Sequence, residues 1–138
     1  MEKIEFYQDR ARGVIKPTLF SDEAEKWATG IWASSKKKMK DGKEQLENNK
    51  RSQIRKFYDE VLRLNGNLKT NHEDWEVVLP YVNMLIAKAA YARGRNSLVT
   101  DEFVRMIREC VAEVQRPQDL DIFANFFEAF MGFYRQYD

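Results

Sequence analysis

The sequence predicts an all-α protein, a compact bundle of four to six helices forming a single domain over residues 1–138. Three observations lead there. Apolar residues recur at 3.6-residue spacing in several stretches that are separated by capping residues. Only three prolines and six glycines punctuate 138 residues, too few for the many tight turns of an all-β fold. No strand-like alternation competes with the helical periodicity. At 43% hydrophobic and 13% aromatic, the chain has enough apolar surface for a packed interior.

The elements follow in order. Residues 1–17 end at Pro17 and read as a short helix or an N-terminal arm. Ser21 is placed to cap a helix, with Asp22, Glu23 and Glu25 favouring its positive end. Leu19, Phe20, Ala24, Trp27, Ala28, Ile31 and Trp32 form its apolar stripe. The polar stretch 36–50 reads as a flexible basic loop or a frayed extension of that helix. Ser52 is expected to cap the next helix, with Ile54, Phe57, Tyr58, Val61 and Leu62 inward and Asn65-Gly66-Asn67 as its end. A third helix starts near Asp74 and runs to Arg93, with a kink or broken first turn expected at Pro80 and Gly94 as its terminator. Thr100 caps a fourth, with Phe103, Met106, Ile107, Cys110, Val111 and Val114 inward, stopped by Arg116-Pro117. Asp119 opens a fifth that runs to about Tyr137. Its rings form one stripe at Phe123, Phe127, Phe130 and Tyr134. Phe126 and Phe133 lie off that stripe, so the apolar face is wide. Either this helix sits at the centre of the bundle, or Phe126, Phe133 and Tyr137 form a protein interface.

Composition narrows the function. Cys110 is the sole cysteine, so no internal disulfide forms. The first residues lack the pattern of a signal peptide, and no apolar run is long enough to span a bilayer. A soluble, cytoplasmic protein with no membrane association is expected. Catalytic chemistry is sparse. His72 is the lone histidine, in a turn before a helix, and no second one completes a common zinc site. Cys110 falls on an apolar helix face, as an inert thiol would. Gly94 belongs to no phosphate-cradling loop, and the adjacent pairs Asp59-Glu60 and Asp22-Glu23 point to different sides of a helix. The expectation is no enzyme, no cofactor and no metal.

The net charge of +1 conceals a strong asymmetry. Between Lys36 and Lys56 nine basic residues face three acidic ones. Such a block binds polyanions through counterion release, or it is simply a solvated face. Its last seven residues, from Lys50 to Lys56, place Lys50, Arg51, Ser52, Gln53, Arg55 and Lys56 at a helix N-terminus, where free amides and the dipole also attract phosphate. Arg63 joins them on the polar side. A second candidate is Arg93 and Arg95 around Gly94, with Lys88 one turn earlier. There, dipole complementation and phosphate contact are equal readings.

Ser52-Gln53-Ile54-Arg55-Lys56-Phe57-Tyr58-Asp59-Glu60-Val61 closely resembles the signature of the small helical subunit of Csm-type (type III-A) CRISPR effector complexes. Leu79-Pro80 with Ala87 to Arg95, Phe103 to Val114, and Asp119 to Tyr134 are similar to the same family, so the resemblance spans about residues 50 to 135. Arg51 departs from it, standing where the pattern has threonine, and segment 36–49 is longer than typical. The resemblance implies a non-catalytic RNA-binding subunit in antiviral defence. It implies several copies side by side along the guide RNA and its paired target RNA, touching the repeated backbone subunit and the large polymerase-like subunit. Carried over by position, Ser52, Gln53, Arg55, Lys56, Arg93 and Arg95 become RNA-backbone contacts; Lys50 and Arg51 are added from local charge. Sequence would be read by base pairing and the protein would hold phosphates. The runner-up is a helical protein–protein adaptor that binds no nucleic acid. A helix-turn-helix DNA binder fits less well, because the loop from Asn65 to Asp74 is too long.

Overall fold

A computed structural model describes residues 3–138. Five helices carry the fold: α1 (Ala24–Ser34), α2 (Arg51–Lys69), α3 (Trp75–Gly94), α4 (Asp101–Glu113) and α5 (Pro117–Tyr134). Two small antiparallel sheets join them, β1 (Tyr7–Asp9) with β2 (Val14–Ile15), and β3 (Lys37–Lys40) with β4 (Lys43–Leu46). The protein is therefore mostly helical rather than all-α.

The aromatic helix is central. α5 packs chiefly against α1 and α2, while α3 packs against α4 and α2. Leu120, Phe123, Phe126, Phe127, Phe130 and Tyr134 are all fully buried in one continuous core. Phe126 is thus core and offers nothing to a partner, because both flanks of α5 are covered. Phe133 and Tyr137 are half-buried. Tyr137 stacks on Trp32 of α1 at 4.7 Å between ring centroids, and its hydroxyl lies 3.1 Å from Thr29 Oγ1.

Segment 36–50 is a hairpin, neither loop nor helical extension. Lys37, Lys38, Met39 and Lys40 pair with Leu46, Gln45, Glu44 and Lys43. The two-residue turn is Asp41-Gly42, with φ of 52° and 77°. Both residues sit in the left-handed region that matches the twist of the flanking strands, and Asp-Gly is among the pairs that reach it most readily. Too few apolar residues flank the turn for the strands to show in a periodicity reading. Residues 3–17 likewise form a docked arm with its own short hairpin. Ile4 and Phe6 are buried, and their amides donate to the carboxylates of Glu109 and Glu113 on α4, at 2.6 Å each.

Helix boundaries also differ from expectation. Ser21 lies inside a π-helical turn (Leu19–Glu23) that leads into α1, so it caps nothing there. Lys50 holds the N-cap position of α2, which places Ser52 within the first turn. α2 runs through Asn65-Gly66-Asn67 to Lys69, because Asn65 is buried and donates to Asp121 Oδ1 at 3.0 Å. α3 continues through Pro80. α5 begins at Pro117, whose missing N–H falls where helices have no internal partner for it. Asp119 is its third residue and accepts from the Gln115 and Arg116 amides at 3.0 and 3.2 Å.

Two buried polar residues pin these elements. Asn49 is fully buried at φ 54°, a left-handed geometry asparagine tolerates. Its Nδ2 donates to Ser35 Oγ at 2.7 Å, Thr100 Oγ1 at 2.8 Å and the Ile31 carbonyl at 3.3 Å. Its Oδ1 accepts the Thr100 amide at 3.0 Å, and its carbonyl accepts the Tyr134 hydroxyl at 2.7 Å. Asp119 is the second. It accepts the Tyr7 hydroxyl and Arg10 Nη1, the latter at 2.9 Å, and so fastens the N-terminal arm to α5. Burial pushes its carboxyl up, but Tyr7, the Gln115 amide and Arg10 outweigh that and hold it below the usual range.

Removing either centre leaves several buried or part-buried polar groups without a partner. Asn49→Ala is expected to lower the unfolding free energy by about 3 kcal/mol, since each orphaned group costs on the order of 1–3 kcal/mol. Asp119→Ala should cost about 2 kcal/mol, since it leaves Tyr7, Arg10 and the Gln115 and Arg116 amides, all part-buried, without their acceptor. Urea denaturation of each variant measures both; a loss under about 0.5 kcal/mol would refute the pinning roles, being no more than an ordinary surface change.

Candidate nucleic-acid interface

The structure brings some predicted residues together and separates others. α2 and α3 run side by side and leave a groove of about 470 Å³ between them. Gln53, Lys56, Glu60 and Arg63 line it from α2; Lys88 and Tyr91 line it from α3, with Arg95 just past that helix. The residues from α2 recur at three- and four-residue spacing, so they share a helix face. Gln53, Lys56 and Arg95, chosen from sequence, meet here. Arg55 is exposed elsewhere on α2 and lies 3.9 Å from Asp59. Arg93 turns to the other side of the α3 terminus and pairs with Asp101 at 2.7 Å.

Glu60 sits within the groove. Arg63 clasps it with two bonds of 2.6 and 3.1 Å, and Lys88 reaches it across from α3 at 2.9 Å. The Arg63 hydrogen bond, helped by Lys88, draws the Glu60 carboxyl from its ordinary 4.5 down to about 2. Arg63 and Lys88 are thereby held in place, each still about half exposed. Lys56 and Arg95 have no carboxylate within ion-pairing distance among the described residues. Four cations thus face two carboxylates, Asp59 and Glu60, along one open groove. Tyr91, 68% exposed, adds an aromatic face beside them.

The N-terminus of α2 differs from expectation. The Arg51 amide donates to the Asp138 carboxylate, so a side chain of the protein takes the position assigned to a phosphate. The dipole that favours phosphate favours a carboxylate equally. Lys50 and Ser52 are exposed there, outside the groove.

Glu60 is the residue that sequence reasoning missed, and Tyr91 stood in the second basic stretch with no part given to it. The three-residue spacing of Glu60 and Arg63 was visible, but Lys88 lies 28 positions from Glu60 and only the packing of α3 on α2 joins them. Elsewhere the chemistry is bland. Cys110 is buried, and burial raises its thiol well above the ordinary value. Among the described residues no three His, Cys, Asp or Glu side chains gather as a metal site would require. No described helix is long and apolar enough to cross a membrane.

The family model for Csm2 of type III-A matches residues 32–138, which include α2, α3, the groove, the β3–β4 hairpin and α5. The chain belongs to the Csm2 type III-A family. It is therefore a subunit of a type III-A CRISPR effector complex, the structural small subunit rather than the catalytic one. The match begins within α1, so the docked N-terminal arm with Arg10 lies outside it, while Asp119, which receives Arg10, lies within it. Comparisons with curated proteins and with solved structures return no match.

Because Glu60 titrates lower in the folded Csm2-family chain than when unfolded, its stabilising contribution is fully present above about 4.5 and is lost as pH falls toward about 2. Urea titrations of wild type and Glu60→Gln should differ at pH 7 and converge across that window. A constant difference down to pH 2 would refute the assignment.

Proposed function

We propose that this small subunit clamps the sugar–phosphate backbone of guide RNA paired with target RNA, without reading sequence and without catalysing a reaction. One observation carries the reading. Lys56, Arg63, Lys88 and Arg95 come from distant parts of the chain, yet line one groove beside Gln53 and an exposed tyrosine. Guanidinium and ammonium groups along an open channel suit phosphates, and base pairing supplies specificity in guided complexes. Lys50, Arg51, Ser52, Arg55 and Arg93 fall outside the groove and take a secondary part at most. In a cytoplasmic complex the chain would stand beside further copies of itself, the repeated backbone subunit and the large polymerase-like subunit.

The adaptor alternative has one observation of its own. Val77, Tyr81, Met84 and Tyr91 of α3 are each about half or more exposed and recur at alternating four- and three-residue spacing, apart from the place Lys88 takes between the last two. Such a stripe suits a protein partner as well as RNA. An adaptor would purify free of nucleic acid and stay indifferent to nuclease.

The pair Lys56→Glu and Arg95→Glu should weaken binding to RNA of any sequence at least tenfold. It should also flatten the dependence of log affinity on log salt by about 2, near one unit for each phosphate no longer neutralised. Fluorescence anisotropy across a salt series measures this; an unchanged slope would sink the groove reading.

A further inference from the structure

The β3–β4 hairpin separates its charges by face. Side chains alternate along a strand, and paired residues share a face. Lys37, Met39, Glu44 and Leu46 therefore lie on one side. At its base that side turns toward the body: Leu46 is buried, and Lys37 Nζ stands 4.4 Å above the Trp32 ring and donates to the Ser35 carbonyl at 3.0 Å, while Met39 and Glu44 nearer the turn are exposed. The other side carries Lys38, Lys40, Lys43 and Gln45, all exposed. The residues paired along that face include no acid, Glu47 standing one step nearer the base where its amide donates to the Lys36 carbonyl at 2.7 Å, and none of its three lysines has an ion pair among the described residues. Lys40 and Lys43 stand directly opposite each other beside the turn. Like charges in that position destabilise a hairpin. Lysines that only guarded the sheet edge would need neither this opposition nor this segregation.

The hairpin is also rooted and aimed. The Lys36 amide donates to Asn48 Oδ1 at 2.6 Å, and Asn48 Nδ2 donates to the Ser97 carbonyl at 3.1 Å, tying the base to the loop after α3. Lys36 and Arg93 line one hollow at that base together with Glu102 and Asp101, the ion-pair partner of Arg93, while Arg95, two residues on, lines the α2–α3 groove. The end of α3 thus links the two basic surfaces.

We infer that the outward face of the hairpin, Lys38, Lys40 and Lys43 with Gln45, is a second RNA-phosphate contact, separate from the groove and tied to it through the loop after α3. The inference rests on the reading of the chain as an RNA-binding subunit. An acidic protein surface is the competing occupant. Lysine is depleted at the cores of protein interfaces, and this face has no apolar anchor, whereas phosphates need only point charges.

Three variants of the full chain separate the possibilities: Lys38→Gln/Lys40→Gln/Lys43→Gln, Lys56→Gln/Arg95→Gln, and Glu44→Gln on the opposite face. Each is titrated with a labelled RNA duplex of arbitrary sequence across a salt series. The triple variant should flatten the slope of log affinity against log salt by about 2 to 3, near 0.9 per phosphate released. The groove variant should flatten it by about 2 independently, and Glu44→Gln should leave the slope intact. A wild-type slope in the triple variant overturns the inference even where the groove variant behaves as expected. If the triple variant keeps that slope but assembles poorly with the other subunits, the face belongs to an acidic protein, and the inference also falls. If the hairpin variant flattens the slope and the groove variant does not, the hairpin contact stands and the groove reading fails.

Discussion

Asn49 is where the molecule is joined. One buried side chain satisfies the last turn of α1 through Ile31 and Ser35, and the start of α4 through Thr100. Its backbone accepts from Tyr134 near the end of α5 and donates to the Leu98 carbonyl at 2.9 Å. Each contact alone is an ordinary hydrogen bond, worth little net. Their convergence on one residue makes each depend on the others, and the low-dielectric surroundings raise the cost of losing any. Two residues later α2 begins, so this junction fixes where the face of Gln53, Lys56, Glu60 and Arg63 points.

From that junction the two basic surfaces diverge. The hairpin leaves the junction toward the N-terminal side of Asn49, rooted through Asn48 on Ser97. α2 leaves it toward the C-terminal side and packs on α3. The groove and the hairpin are then held by adjacent parts of the fold, with the end of α3 between them. Ion pairs near the groove act locally. Glu60 orders Arg63 and Lys88 without consuming Lys56 or Arg95, so the groove keeps accessible cations around an organised pair. A second fastening joins Asp119, within the family match, to Tyr7 and Arg10, which lie before it. It covers α4 and α5 with an arm that adds buried apolar surface at Ile4 and Phe6.

The fold was legible to different degrees along the chain. Periodicity revealed all five helices and much of the core, because burial of one helix face writes itself into spacing, but it placed Phe20 and Leu62 inward, where they are exposed at the edge of their stripes, and missed Ile4, Phe6, Leu46, Leu64 and Val99. It did not reveal the hairpin, because two strands of four paired residues, four of the eight lysine, carry no apolar alternation. The Asp-Gly turn was the available signal. Nor could it judge Phe126, whose place off the main stripe looks the same whether a second helix of the same chain or another protein covers it.

What this sequence by itself determined is its class: helical, poor in catalytic groups, locally basic, and bearing a family pattern from Ser52 onward. These follow from residue types and short spacings, which survive without a third dimension. The basic stretch from Lys36 to Lys56 was visible as charge. Only the tertiary structure decided how that charge is arranged. It turned Arg55 away, paired Arg93 with Asp101, placed Asp138 on the Arg51 amide, and gathered Lys56 with Lys88 and Arg95. The physical reason is that a charged site is defined by distance, and the distances between residues on different helices are set by the packing of the core, not by the order of the chain.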